Sequence, residues 1–155
     1  MTTRFVNTID AASLSLIIPI LMYGLREKSK TNKKKAAQIV GSLCQLVTDS
    51  KDMSAYMDDI VLSLKKVLVD PIPEVRFASA KAIGSLVRGI GPSAVQELLP
   101  WFLETLKSDS TSVEKNGAAQ ALSEVLAVLG DEHLDELMPE IILGCTQMLT
   151  SRRAT

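Results

Sequence analysis

The side chains best suited to chemistry are few and scattered along this chain. His133 is the sole histidine, and it stands among Asp131, Glu132, Asp135 and Glu136. An imidazole beside carboxylates could ligate a metal, but zinc sites draw several His or Cys ligands at set spacings. Acids at a helix start are favoured by the helix dipole, so a solvated first turn is the expected reading and no metal is assigned. Cys44 and Cys145 lie in apolar runs, lack zinc spacing and form no disulfide framework. They read as reduced thiols buried in a cytosolic protein. The stretch Gly84-Ser-Leu-Val-Arg-Gly-Ile-Gly91 has the glycines of a phosphate loop. It lacks the Gly-Lys-Ser/Thr ending and closes a helix instead of following a strand. The neighbouring carboxylates Asp58/Asp59 and Asp131/Glu132 point about 100° apart on a helix and share no site. With no nucleophile beside a base, the sequence implies no catalytic residue and no cofactor.

One polar feature rises above this background. In Arg26-Glu-Lys-Ser-Lys-Thr-Asn-Lys-Lys-Lys35, six of ten residues are basic. Two readings remain open: a solvated loop edge, or an electrostatic contact of Arg26, Lys28, Lys30, Lys34 and Lys35 with phosphates or an acidic protein surface. No aromatic is interleaved to stack on bases, so sequence-specific nucleic-acid reading is not implied. The net charge is −1, but it is unevenly spread. Residues 1–40 carry +5, residues 41–109 carry −2 and residues 110–155 carry −4, which makes the chain basic at one end and acidic at the other.

The elements that position these residues follow from the apolar pattern. Hydrophobic residues make up 46% of the chain and aromatics only 4%. The core must therefore be built mainly of aliphatic side chains, many of which lose little rotamer freedom in helices. The uncharged stretch 11–25 is too short, and too interrupted by Pro19, for a membrane span or secretory signal. Of Trp101 and Phe102, at least one is expected in the core; Trp101 could instead face a partner.

Three segments share one pattern: Leu16-Ile-Ile-Pro-Ile-Leu-Met-Tyr-Gly-Leu25, Glu97-Leu-Leu-Pro-Trp-Phe-Leu-Glu-Thr-Leu106 and Glu136-Leu-Met-Pro-Glu-Ile-Ile-Leu-Gly-Cys145. A fourth, Ala55-Tyr-Met-Asp-Asp-Ile-Val-Leu-Ser-Leu64, has Asp58 at the proline position. Positions 19, 58, 100 and 139 are spaced by 39, 42 and 39 residues, the period of HEAT repeats. A second helical pattern follows each of the first three copies, bringing Ala37, Ala80 and Ala119 into register, and likewise Gly41, Gly84 and Ser123. Small residues there let helices approach closely. The turns repeat as well: Glu27 precedes Lys33, Asp70 precedes Arg76 and Asp109 precedes Lys115, each by six residues. This acid–base ladder is expected to be strongest at Asp70-Pro-Ile-Pro-Glu-Val-Arg76, because lysine cannot make the bidentate fork of arginine.

The expected architecture is an all-α solenoid, a HEAT/armadillo-like superhelix of three helix pairs plus one unpaired helix. Helices are predicted at 13–26 and 32–48, 55–69 and 73–89, 93–107 and 111–129, and 133–149. The whole of 1–155 is then a single segment with repeats at about 13–48, 55–89 and 93–129, a partial repeat at 133–149 and a disordered tail at 150–155. Gly89, Gly91 and Gly130 read as helix C-terminal caps. The last helix, with Leu134, Leu137, Met138, Ile141, Ile142 and Met148, lacks a second helix over its apolar face. Solenoids need polar ends, so a piece of a longer solenoid is expected.

Phe5-Val-Asn-Thr-Ile-Asp10, Lys34-Lys-Ala-Ala-Gln-Ile-Val-Gly41, Val69-Asp-Pro-Ile-Pro-Glu-Val-Arg76 and Gly117-Ala-Ala-Gln-Ala-Leu-Ser-Glu-Val125 resemble the general-control translational activators. These are giant HEAT-repeat proteins of eukaryotes, and the matching part is their central region, related to the HEAT domain of translation elongation factor 3. The plant members look nearest. The resemblance implies a cytoplasmic scaffold that docks on ribosomes, works with an ABC-type ATPase partner and promotes activation of the general amino-acid control kinase. That kinase phosphorylates the α subunit of an initiation factor. In the family the kinase-binding segment lies further toward the C-terminus, so kinase contact is expected only through a segment missing here. The alternative is a general protein–protein adaptor of the transport-receptor or phosphatase-scaffold type. A hydroxylase or glycosylase on the same framework would need paired His-Glu motifs or an aromatic, basic groove, and the sequence has neither.

Overall fold

A computed structural model describes residues 9–47, 50–91, 93–107 and 109–151. Local signals in the sequence explain where its helices start and stop. Helix α1 (Ala11–Arg26) begins where the Asp10 carboxylate accepts a hydrogen bond from the Ser13 amide at 2.9 Å. The Ser29 hydroxyl does the same for α2 (Lys30–Leu46) through Asn32. Helix α5 (Pro73–Ile90) starts with proline in its first position, where the missing N–H is no loss. A full capping box opens α7 (Ser112–Val128): Thr111 accepts from the Glu114 amide, and Glu114 reaches back to the Thr111 amide at 2.7 Å. Each such cap satisfies backbone donors that the helix cannot.

The remaining helices are α3 (Ser50–Ser54), α4 (Met57–Leu68), α6 (Ser93–Lys107) and α8 (Asp131–Ser151). Helix α4 fills most of the range expected at 55–69, and an unexpected short helix, α3, precedes it across a turn at Ala55 and Tyr56. Met53 at the end of α3 is nonetheless buried. Asp58 and Asp59 fall in the first turn of α4, where the helix dipole favours them. Proline takes the same repeat position inside α1, α6 and α8. No strand forms among the described residues; a single parallel bridge joins Ile9 to Val47.

The helices lie in two rows. First helices α1, α4, α6 and α8 form one row, and second helices α2, α5 and α7 form the other, with α5 packed against both α2 and α7. The core runs between the rows through Leu14, Val40, Ile60, Leu64, Ile83, Leu98, Phe102 and Val125, all almost fully buried. The register of small residues lies where the second helices meet. A Cβ on Gly41 would stand 3.3 Å from the Ala82 Cα, and one on Gly84 would stand 3.1 Å from the Glu124 Cβ. Ala37 and Ala80 are fully buried. Ala119 and Ser123, their counterparts in α7, are exposed, because no further second helix lies against them among the described residues. The first-helix row is looser at its middle, where α4 and α6 meet far less than neighbouring second helices do. Between α4 and α6 a hollow of about 410 Å³ remains, lined in part by Leu62, Lys65 and Trp101.

Three expectations change. Gly89 lies inside α5, where its missing Cβ admits the Cys44 carbonyl oxygen, so it is a close-approach residue and not a cap. Gly91 is the cap, with φ at +102°, a region costly for other residues. Thr150 and Ser151 belong to α8, so the tail expected from 150 is helical at its start; residues 152–155 lie outside the described residues. The apolar face of the last helix is partly covered: Ile141 is buried against the core, whereas Met138 and Ile142 are exposed. The Met148 side chain, like Phe5-Val-Asn-Thr8, falls outside the described residues.

Candidate functional site

The basic run is divided by the fold into working and unpaired charges. Arg26 ends α1, Glu27 and Lys28 form the turn, and Lys30, Lys33, Lys34 and Lys35 occupy the first turns of α2. Lys33 is committed to structure: its ammonium meets the Asp70 carboxylate at 2.5 Å, with both groups largely buried. Lys30 pairs with Glu74 at 3.1 Å in an exposed setting. Among the described residues, no carboxylate lies within ion-pair distance of Arg26, Lys28, Lys34 or Lys35. The lysines of α2 stand at a helix N-terminus, where the dipole is already positive. Lys30 and Lys33, in the first turn, are offset by Glu74 and Asp70; Arg26, at the end of α1, is favoured by that helix's dipole.

The ladder takes a specific form. Lys33 of the first repeat reaches across to Asp70 in the turn of the second. The other Asp70 oxygen accepts from the Ile72 amide at 2.9 Å. Arg76 donates to the backbone oxygens of Asp70 and Pro71 at 2.8 and 3.0 Å, bracing its own turn without gripping the Asp70 carboxylate. Glu27 accepts a hydrogen bond from Asn32 and has no ion pair with Lys33. Asp109 is exposed and makes no ion pair with Lys115. Burial works to raise the Asp70 pKa, but the Lys33 ammonium, the Ile72 amide and the Arg76 charge outweigh it and hold the group below the usual aspartate value. Ser79, fully buried, donates to the Leu64 carbonyl at 2.9 Å and ties α5 to α4.

Beside the basic edge lies a groove that the sequence pattern did not reveal. It runs between α2 and α5, holds about 440 Å³ and is floored by Ala37, Gly41, Ala78 and Ala82. Phe77 stands on its wall, 49% exposed, with the Lys81 ammonium 5.1 Å from the ring centre. The elements of this groove are repeated small and polar positions on facing helices. A stripe such as Lys34, Gln38, Ser42 and Gln45 was the available signal. Trp101 is half-buried edge-on to Phe102, with the Lys65 ammonium 5.4 Å from its ring centre, and Phe102 is the core member of the pair. Cys44 is buried and its thiol is pushed up to about 12 by desolvation; Cys145 is only half-buried. No cluster of three or more His, Cys, Asp or Glu suited to a metal occurs among the described residues.

The family profile described as "Elongation factor 3/GNC1 HEAT repeat" matches residues 1–97, and a "HEAT-like repeat" profile matches residues 73–125. The chain belongs to the elongation factor 3/GNC1 HEAT-repeat family. It is 52% identical over 153 residues to Protein ILITYHIA of Arabidopsis thaliana, covering 99% of this chain and 6% of that protein. It is 49% identical over 148 residues to the "Stalled ribosome sensor GCN1" of Homo sapiens, covering 96% and 6%. The "eIF-2-alpha kinase activator GCN1" of Saccharomyces cerevisiae is 41% identical over 144 residues, covering 93% and 5%. Elongation factor 3 of Candida albicans is 33% identical over 99 residues, 63% of this chain and 9% of that protein. The likeness to the general-control translational activators therefore extends over nearly the whole chain, while the chain spans only about 6% of the first of these relatives. No solved structure matches. No helix among the described residues is long and apolar enough to cross a membrane.

Proposed function

We propose that this chain is a non-catalytic section of a ribosome-associated translational activator, and that its basic edge docks on the ribosome in the cytoplasm. The observation that carries the reading is the set of unpaired cations Arg26, Lys28, Lys34 and Lys35, gathered around the start of α2. Cations gathered on one edge without a carboxylate at ion-pair distance raise the local potential and attract a polyanion. The names of the human and yeast relatives, stalled ribosome sensor and kinase activator, supply the setting. In that setting the section works with an ABC-type ATPase partner on the ribosome. Activation of the amino-acid control kinase passes through a segment further toward the C-terminus. The exposed stripe Leu16, Ile20 and Tyr23 on α1, with Met138 and Ile142 on α8, suits stacking on further repeats at either side.

Ribosome pelleting tests this. Reversing Lys28, Lys30, Lys34 and Lys35 to glutamate is expected to move the chain from pellet to supernatant, and added salt should do the same to the wild type. Equal sedimentation of the two proteins would remove the basic edge from the mechanism. A second reading, a general protein–protein adaptor, is favoured by the groove between α2 and α5. It predicts no sedimentation and a stoichiometric protein partner.

A further inference from the structure

We infer that the groove between α2 and α5 is a docking site for an extended acidic peptide anchored by one bulky apolar side chain. Its floor is made of the small residues Ala37, Gly41, Ala78 and Ala82, so it offers apolar depth without a side chain to fill it. The volume of about 440 Å³ accommodates an aromatic or leucine side chain together with the backbone beside it. Phe77, 49% exposed and met by the Lys81 ammonium, gives that anchor an aromatic ring on the groove wall to pack against.

The rim specifies the rest of the ligand. Gln38, Ser42 and Gln45 from α2 face Ser85 from α5 across the groove, and Gln45 already bridges to Ser85 at 3.2 Å. Side-chain amides and hydroxyls both donate and accept, which matches the alternating N–H and C=O of an extended chain and gives no base-specific pattern. At one end the groove runs into a second hollow of about 320 Å³, which shares Lys34, Gln38 and Glu74 with it and adds Lys30 and Lys35. Glu74 is held by Lys30 and felt by Lys34, and three lysines, Lys30, Lys34 and Lys35, against this one carboxylate leave the shoulder positive. An apolar trough continuing into a cationic shoulder fits a peptide whose apolar anchor adjoins a run of carboxylates. Nucleic acid would use the shoulder and leave the trough empty, so a peptide is the better complement.

The inference does not depend on ribosome docking, because its test contains no ribosomes. The probe is a fluorescein-labelled synthetic peptide of aspartates and glutamates flanking one phenylalanine, titrated with the whole chain and followed by anisotropy. Control probes replace the phenylalanine with alanine or the acids with lysine, and oligouridylate serves as competitor. Ser42→Trp fills the trough from an exposed position, and Phe77→Ala removes the packing ring. Each is expected to weaken binding by about ten-fold or more while leaving the melting temperature unchanged. Lys34→Glu should weaken it chiefly at low salt. Two results would overturn the site: no binding of the acidic peptide, or equal binding by wild type, Ser42→Trp and Phe77→Ala. A third would replace it with a nucleic-acid site: oligouridylate displacing the peptide and itself losing affinity only in Lys34→Glu.

Discussion

Replacing Gly117 by alanine probes how closely the repeats are pressed together. Gly117 lies in the first turns of α7, against the C-terminal end of α4 in the preceding repeat. A Cβ built there would stand 1.9 Å from the Leu68 carbonyl oxygen and 2.9 Å from its carbon. Ordinary contact begins near 3.4 Å, so α7 and the end of α4 would have to separate by roughly 1.5 Å. The obstacle is backbone, with no rotamer to turn away, and it sits two residues before the turn held by Asp70 and Arg76. Overpacking of this kind costs about 1–3 kcal/mol, toward the upper end here because the neighbour is rigid. The better helix propensity of alanine returns up to about 1 kcal/mol. A net loss of about 2 kcal/mol corresponds to a fall in melting temperature of about 4–8 °C for a chain of this length. Circular dichroism melts measure it, with Gly130→Ala as the control. A Cβ at Gly130 meets nothing within 4 Å, and its φ is not positive, so that variant should be neutral or stabilised by up to about 1 kcal/mol. If Gly117→Ala melted within a degree of the wild type, the argument from close approach would be refuted.

Other consequences can be checked separately. The ionised form of Asp70 is the one stabilised in the fold, so its contribution is full at and above neutral pH. It is lost as pH falls below the ordinary value of 3.8 toward the lower folded one. Acid titration of stability should therefore show a drop in that window that is absent in Asp70→Asn, which should also lose about 2 kcal/mol at neutral pH. Thr111→Ala removes the capping box of α7 and should cost about 1 kcal/mol, seen as faster amide exchange at the α7 N-terminus. Cys44, its thiol held near 12, should resist alkylation at pH 8 in the native state, whereas Cys145 should react. Denaturant should expose both, and mass spectrometry of the labelled peptides distinguishes them.

The period of the proline positions made the paired helices legible, because one apolar stripe per helix is all that stacking requires. The short helix α3 was not legible, since five residues are too few to show a helical period. Gly89 was misread because a glycine that ends a helix and one that admits a neighbour look alike in sequence. Only the Cys44 carbonyl at that spot decides between them. Ala119 and Ser123 share the register of buried residues yet are exposed, because burial belongs to the neighbouring helix and not to the residue type. At the candidate site, the run from Arg26 to Lys35 stood out by composition. Which of its lysines are spoken for depends on Asp70 and Glu74, some forty residues away. The groove depends on the facing of two helices, so Phe77, Gln38, Ser42 and Gln45 carried no signal beyond a small and polar stripe.

The two rows of the stack differ in a way that governs its mechanics. Second helices meet closely at Gly41 and Gly84 even beside the groove that α2 and α5 border, while α4 and α6 make little contact. Bending therefore pivots on the glycine row, which acts as the spine of a book whose pages open on the other side. A tug along the axis would be taken up by the first helices fanning out, with the spine keeping its length. Enlarging Gly84 would reset the pitch of the spring without altering the basic edge, whereas enlarging Gly41 would also fill the floor of the peptide-sized groove.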